Sequence, residues 1–186
     1  MIKEKILLAS QSPRRAEILS AVGWAFEVAA ANIDETRLAQ EDAVTYVERL
    51  ARTKAETIAK RFSDCLVIGA DTVVVIAGEI LGQPCDDEEA QRMLRLLSGK
   101  WHDVMTGVAL VREGATAVAH ATTRVLFAEM SSEEIDWYVS TGEPRGKAGA
   151  YGIQGSAALF IKEIQGEYFN VVGLPVRLVF ELSRRI

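Results

Sequence analysis

Along this chain the apolar residues recur with two periods, and the switches between them lay out the elements. A short apolar run at 5–9 reads as a strand, followed by a helix from Pro13 to about Val22 that Gly23 stops. A second strand is expected near 24–30, then a loop through Asn32, Asp34 and Glu35. From 41 to 62, Val44, Val47, Ala51, Ile58 and Phe62 fall three or four apart or at multiples of that spacing, as on the apolar face of a helix. The run 66–76, LVIGADTVVVI, is β-branched and apolar on both faces, as a central strand would be, and Ala77-Gly78-Glu79 turns it into a short strand ending at Gly82. A helix over 86–98 opens on Asp86, Asp87, Glu88 and Glu89, which suit the positive end of its dipole, and closes at Gly99. Strands at 103–112 and 116–128 join through Glu113-Gly114 as a hairpin. Ser131 and Glu134 form a capping box for a helix to about Ser140, and a strand near 157–164 and a helix from Pro175 end the chain. Strands and helices mix without strict alternation, so the fold class is α/β of the mixed α+β kind, with a mixed sheet and flanking helices. No repeat or linker divides the 186 residues, which implies one domain over 1–186 with room for two lobes around a cleft.

Charge narrows the function classes. Lys and Arg total 21 against 26 Asp and Glu, a net charge of −5, which argues against a stable nucleic-acid complex. No apolar run approaches the roughly 20 residues of a membrane-spanning helix, and the first apolar stretch is too short for a signal peptide. Cys65 and Cys85 make neither a CxxC motif nor a disulfide framework, so a cytoplasmic location is expected. His102 and His120 lack zinc-site context, and neither a GxSxG elbow nor a GxxxxGK[ST] loop occurs. Trp24, Trp101 and Trp137 are scattered and read as packing residues. Any anion site must therefore be a local basic cluster within an acidic whole.

Several residues sit where stability alone would not put them. In Ser10-Gln11-Ser12-Pro13-Arg14-Arg15, Ser12 suits an N-cap and Pro13 the first helical position. Arg14 and Arg15 then load the first turn with the charge that opposes the helix dipole. Hydroxyls, backbone N–H groups and guanidinium groups converging there describe a phosphate site, the other reading being a solvated arginine pair. Lys54 falls on the same stripe as Val47, Ala51 and Ile58; it either meets a buried anion or reaches past the core edge into water. Asp71-Thr72 interrupts the most hydrophobic strand, where an aspartate is a catalytic carboxylate, a metal ligand or a strand-end cap. Glu35 is a second carboxylate for a Mg²⁺ set or a solvated loop residue. Between Gly142 and Gly155 lie five of the chain's fourteen glycines, in a loop too long to be a simple connector, and its Gln154 offers an amide able to read a base edge.

LLASQSPRRAEIL, ADTVV at 70–74, GQP at 82–84, TGEP at 141–144, KAGAYGIQG at 147–155 and NVVGLP at 170–175 together resemble the Maf proteins, house-cleaning nucleoside triphosphate pyrophosphatases. The AGAYGIQG version is similar to the branch acting on dTTP and UTP. The resemblance implies Asp71 as the catalytic proton acceptor, with Lys54 and Arg15 in the catalytic pocket. It implies Ser10, Arg14, Thr72, Gln83 and Gln154 at the substrate, of which Arg14, Thr72 and Gln154 bear on the choice of base, and the Ser12 hydroxyl joins them from the reading of the phosphate site above. It further implies Glu35 and Asp71 at a divalent cation (Mg²⁺ or Mn²⁺), a fold shared with the inosine triphosphate pyrophosphatases, and a homodimer. Two positions depart from the family pattern: Gln83 stands where a lysine is usual, and Gly146 where an aspartate is usual. Losing one charge-assisted phosphate contact costs about 1.5–3 kcal/mol, or about one to two decades in rate. Arg145 and Lys147 are the nearby cations that could make up for it. The contrasting expectation from the same departures is a nucleotide-binding regulator of septum formation with weak turnover.

Overall fold

A computed structural model describes residues 4–62 and 64–186. In chain order the elements are β1 (Ile6–Leu8), α1 (Pro13–Ala21), β2 (Phe26–Val28), α2 (Ala43–Ala59), β3 (Leu66–Ile76), β4 (Glu79–Leu81), α3 (Asp87–Leu97), β5 (Trp101–Arg112), β6 (Ala115–Phe127), α4 (Ser132–Ser140), β7 (Ile161–Gln165), α5 (Tyr168–Val172) and α6 (Val176–Ser183). The seven strands form one mixed sheet in the order β2-β1-β3-β5-β6-β7, with β4 paired to β3. β1 runs parallel to both β2 and β3, whereas β3–β4 and β6–β7 are antiparallel. The α/β class expected from the pattern is the one observed.

Local chemistry explains most boundaries. Asp42 caps α2 by accepting from the Thr45 N–H at 2.7 Å, and Asp86 does the same for α3 through Glu89. The capping box of α4 is complete. Glu113 and Gly114 both take positive φ (49° and 83°), which matches the strand twist of a two-residue hairpin. Three expectations need correcting. α2 stops at Ala59, so Phe62 leaves the apolar face and stands 40% exposed. The strand expected near 157–164 begins as a 3-10 helix over Ser156–Phe160, and only Ile161–Gln165 is extended. Ser12 occupies the N-cap of α1, but its side chain makes no capping hydrogen bond. α5, hidden in NVVG, is too short for a periodic signal; its Asn170 is buried and donates to the Val104 carbonyl and Thr123 Oγ1. Of the tryptophans read as packing residues, Trp137 is 47% exposed, with its ring edge-on to Phe160.

The chain divides into two compact units, one comprising 1–71, 106–121 and 173–186, the other 72–105 and 122–172. In the first, Leu7, Ala51, Ala55, Ile58, Val67 and Ala109 build the core. The backbone of α2 lies directly on the sheet there: a Cβ at Gly69 would stand 2.2 Å from the Ala51 carbonyl oxygen, and one at Gly107 2.3 Å from that of Val47. Only glycine admits such an approach.

The core of the second unit gathers Val74, Leu94, Val125, Phe127, Tyr138 and Tyr151. His102 is buried among them, Nε2 2.8 Å from Tyr151 Oη, with the Phe127 and Tyr151 rings edge-on. Burial pushes the His102 pKa down to about 4. An unfolded chain takes up this proton near pH 6.5, the native chain only near pH 4, so the unfolded state binds more protons across that interval and stability falls with falling pH. At about 1.4 kcal/mol per pKa unit the loss is about 3 kcal/mol. Urea unfolding at pH 7 and pH 4 is expected to show this extra acid sensitivity in the wild type and not in His102→Gln.

Candidate active site

β3 and α2 create the central feature of the first unit. Side chains alternate along a strand, so Asp71 shares the face of Gly69, the residue that lets α2 approach. Lys54 lies between Ala51 and Ala55, the helix residues at that approach, and is therefore delivered onto Asp71. Its Nζ donates to Asp71 Oδ1 at 2.6 Å and lies 2.8 Å from Glu35 Oε1. Lys54 and Asp71 are both buried (7% and 8% exposed), whereas Glu35 reaches in from the surface loop after β2. Of the two readings of Lys54, the buried-anion one holds.

Arg15 brings α1 to the same place. Its Nε donates to the Gly173 carbonyl at 2.8 Å and its Nη1 to Ser10 Oγ at 3.0 Å; the Ser12 N–H also donates to Ser10 Oγ. Gly173 belongs to NVVGLP, so one guanidinium ties together two of the sequence motifs. The first turn of α1 contains no acidic residue, and half-buried Arg14 beside Arg15 adds positive charge. Burial lowers the Arg15 pKa, against the opposing pull of Asp71. Burial likewise raises the Asp71 pKa above the ordinary carboxylate range, and the charges of Lys54 and Arg15 pull it back. A buried carboxylate tuned upward beside two cations is equipped to accept a proton next to a polyanion.

Glu35 Oε1 and Asp71 Oδ1 both meet the Lys54 ammonium, at 2.8 and 2.6 Å. They form a hard oxygen pair of the kind Mg²⁺ or Mn²⁺ takes. No group of three or more His, Cys, Asp or Glu able to hold a metal occurs among the described residues, so remaining ligands would have to come from phosphate and water, as Mg²⁺ commonly arranges. Glu35 and Asp71 are the side chains that would hold the cation, and Lys54 is the group they meet in its place.

The remaining expected residues belong to the second unit. Thr72 follows Asp71 in β3 and, by the pleat, faces the other way. Gln83 is exposed; the Gly82 carbonyl before it accepts the Gly149 N–H at 3.0 Å, which fixes 82–84 to the glycine-rich loop. Within that loop Ala148–Ala150 form a 3-10 turn, and Gln154 is exposed between buried Ile153 and Gly155. Glu143 holds the loop's end: both carboxylate oxygens accept from the Ser156 N–H at 3.0 and 2.9 Å. A Cβ at Gly155 would fall 1.4 Å from Glu143 Oε1, which explains that glycine. Lys147 donates to the Glu143 carbonyl, and exposed Arg145 reaches Asp87 at 3.4 Å, so both cations are engaged locally. Gly146 takes φ +69° with open space about it, a conformation that glycine adopts freely and aspartate tolerates. Sequence reasoning did not find Glu143; its spacing to GIQG was the available signal.

Solved structures define the fold class. The chain is similar to a HAM1 protein from Coxiella burnetii (TM-score 0.52, 18% identity, 97% of this chain and 99% of that one) and to the Staphylococcus aureus Ham1 protein (TM-score 0.51, 18% identity, 68% and 73%). Residues 5–186 match the family model "Maf-like protein", and the chain belongs to that family. It is 51% identical to the dTTP/UTP pyrophosphatase of Symbiobacterium thermophilum over 96% of this chain and 92% of that protein. It is 50% identical to the one of Syntrophus aciditrophicus (97% and 89%) and 48% to the one of Bacillus thuringiensis (97% and 95%).

Proposed function

We propose that this chain hydrolyses dTTP and UTP between the α- and β-phosphates, giving the monophosphate and pyrophosphate. The observation that carries this reading is buried Asp71 held by Lys54 at 2.6 Å, with Arg15 within electrostatic reach. Asp71 accepts the proton of the attacking water. Lys54, Arg15 and the Ser10 and Ser12 hydroxyls offset charge gathering on the pyrophosphate leaving group. Glu35 and Asp71 would hold a divalent cation, which would supply neutralisation of phosphate charge. By the family resemblance Gln154, Thr72 and Arg14 bear on the choice of base; thymine and uracil differ by one methyl, so weak discrimination between the two nucleotides is expected. A homodimer in the cytoplasm belongs to the same reading, supported by the family resemblance and by two free cysteines.

Incubation with dTTP and Mg²⁺ is expected to give dTMP and pyrophosphate in equal amounts, whereas stepwise release of orthophosphate would contradict the reading. Gln83 supplies a second check. Exposed and followed by Pro84, it can accept a longer cationic side chain. Gln83→Lys is expected to raise kcat/KM for dTTP by about one to two decades, the worth of one charge-assisted phosphate contact.

A further inference from the structure

Glu35 reaches the site from a stretch with no regular structure, residues 29–42, more than half exposed at its side chain. Such a segment does not by itself hold a carboxylate 2.8 Å from a buried ammonium. Three side chains outside the site do. Tyr46 Oη donates to the Glu35 carbonyl oxygen at 2.9 Å. Arg49 Nη2 donates to the next carbonyl, that of Thr36, at 3.2 Å. Arg49 also takes Glu41 in a bidentate pair, Nε to Oε1 at 2.6 Å and Nη2 to Oε2 at 2.8 Å. Glu41 Oε2 in turn accepts the Leu38 N–H at 3.1 Å, and the Arg49 guanidinium lies over the Tyr46 ring, 5.6 Å from its centre.

We infer that Tyr46, Arg49 and Glu41 are a positioning clamp that holds the loop carrying Glu35 against α2, so that its carboxylate meets Lys54. The geometry argues against a general stabilising role. Glu41 is buried, and a buried ion pair contributes little net stability compared with apolar residues of similar size. What a bidentate pair fixes is direction, and here each member also grips the backbone of the loop just after Glu35, Arg49 at the Thr36 carbonyl and Glu41 at the Leu38 N–H. Tyr46 and Arg49 are three residues apart on α2, hence adjacent on its surface, and Lys54 follows on the same rigid helix. One element thus presents both the cation and the grip on its partner carboxylate.

This inference rests on the role given to Glu35 above, and a double-mutant cycle separates the two. Tyr46→Phe and Arg49→Lys each remove one grip while keeping ring or charge. Each is expected to lower kcat for dTTP by roughly two- to tenfold, the worth of one hydrogen bond, with KM changed less. In a Glu35→Gln background the same substitutions should change kcat by less than about twofold, because there is no carboxylate left to aim. Hydrogen exchange at the Thr36 and Leu38 amides should accelerate in both single variants. Equal losses in the two backgrounds, or no loss in the wild-type background, would overturn the clamp and leave Glu35's own role standing. Full turnover by Glu35→Gln alone would instead remove that role, and the clamp's function with it.

Discussion

Asp71→Asn is expected to lower dTTP turnover by about two to four decades, the usual worth of a positioned proton acceptor. The amide fills the same volume and still accepts from Lys54 through its oxygen, but it cannot take the proton from water. Burial raises the Asp71 pKa above its unfolded value, so the native state binds that proton more tightly than the unfolded chain. Stability contributed by this group is therefore present below the unfolded pKa and is lost as pH rises through the folded one. At pH 7 the buried charged carboxylate carries a cost that asparagine does not, which offsets part of what Lys54 loses with its partner while Glu35 stays at 2.8 Å, so the melting temperature of Asp71→Asn should fall less than that of Lys54→Met. The pH profile gives an independent check. Wild-type kcat/KM should fall on the acid side at a pH above the ordinary carboxylate range, and the residual activity of the variant should lack that limb.

Lys54→Met is the second large effect, and it should damage both stability and activity. Removing one partner of a buried pair leaves the other uncompensated, at a cost of about 3–5 kcal/mol. Here Asp71 loses its 2.6 Å partner and Glu35 its 2.8 Å ion pair, while Arg15 remains within electrostatic reach. Turnover of dTTP should fall by about two to three decades with the loss of a preorganised charge. Without the Lys54 charge the Asp71 pKa rises further, so the acid limb of the remaining activity should move to higher pH. Adding Asp71→Asn to Lys54→Met should restore much of the stability, read by urea unfolding, and none of the activity. That split distinguishes a cation serving the reaction from one that only holds the fold.

Both substitutions touch residues legible in the sequence, because each broke a local rule. A lysine on an apolar helical stripe and an aspartate in a β-branched run are conflicts between neighbours, and such conflicts mark sites. Arg15 was visible for the same reason, as a cation at the wrong end of a helix dipole. Lys54 and Asp71 could be flagged separately but not joined, since their meeting depends on Gly69 and Gly107 letting α2 lie on the sheet. Glu35 stood undecided between ligand and solvated residue, because its place is set by Tyr46 and Arg49, ordinary residues on an ordinary helix. The glycine-rich loop announced itself by composition, yet the reason for Gly155 lies in a carboxylate twelve residues earlier. Strands and long helices followed from periodicity, whereas α5 and the 3-10 helix at 156–160 are too short to carry a period. The total charge of −5 concealed the basic cluster, and only position revealed it.

The central claim is that water attacks the α-phosphorus with Asp71 taking its proton, and isotope placement tests it most directly. Hydrolysis of dTTP in ¹⁸O-labelled water, with products separated and weighed by mass spectrometry, should put one labelled oxygen in dTMP and none in pyrophosphate. Label in pyrophosphate would place the attack on the β-phosphorus, and labelled orthophosphate would show stepwise cleavage; either result contradicts the mechanism.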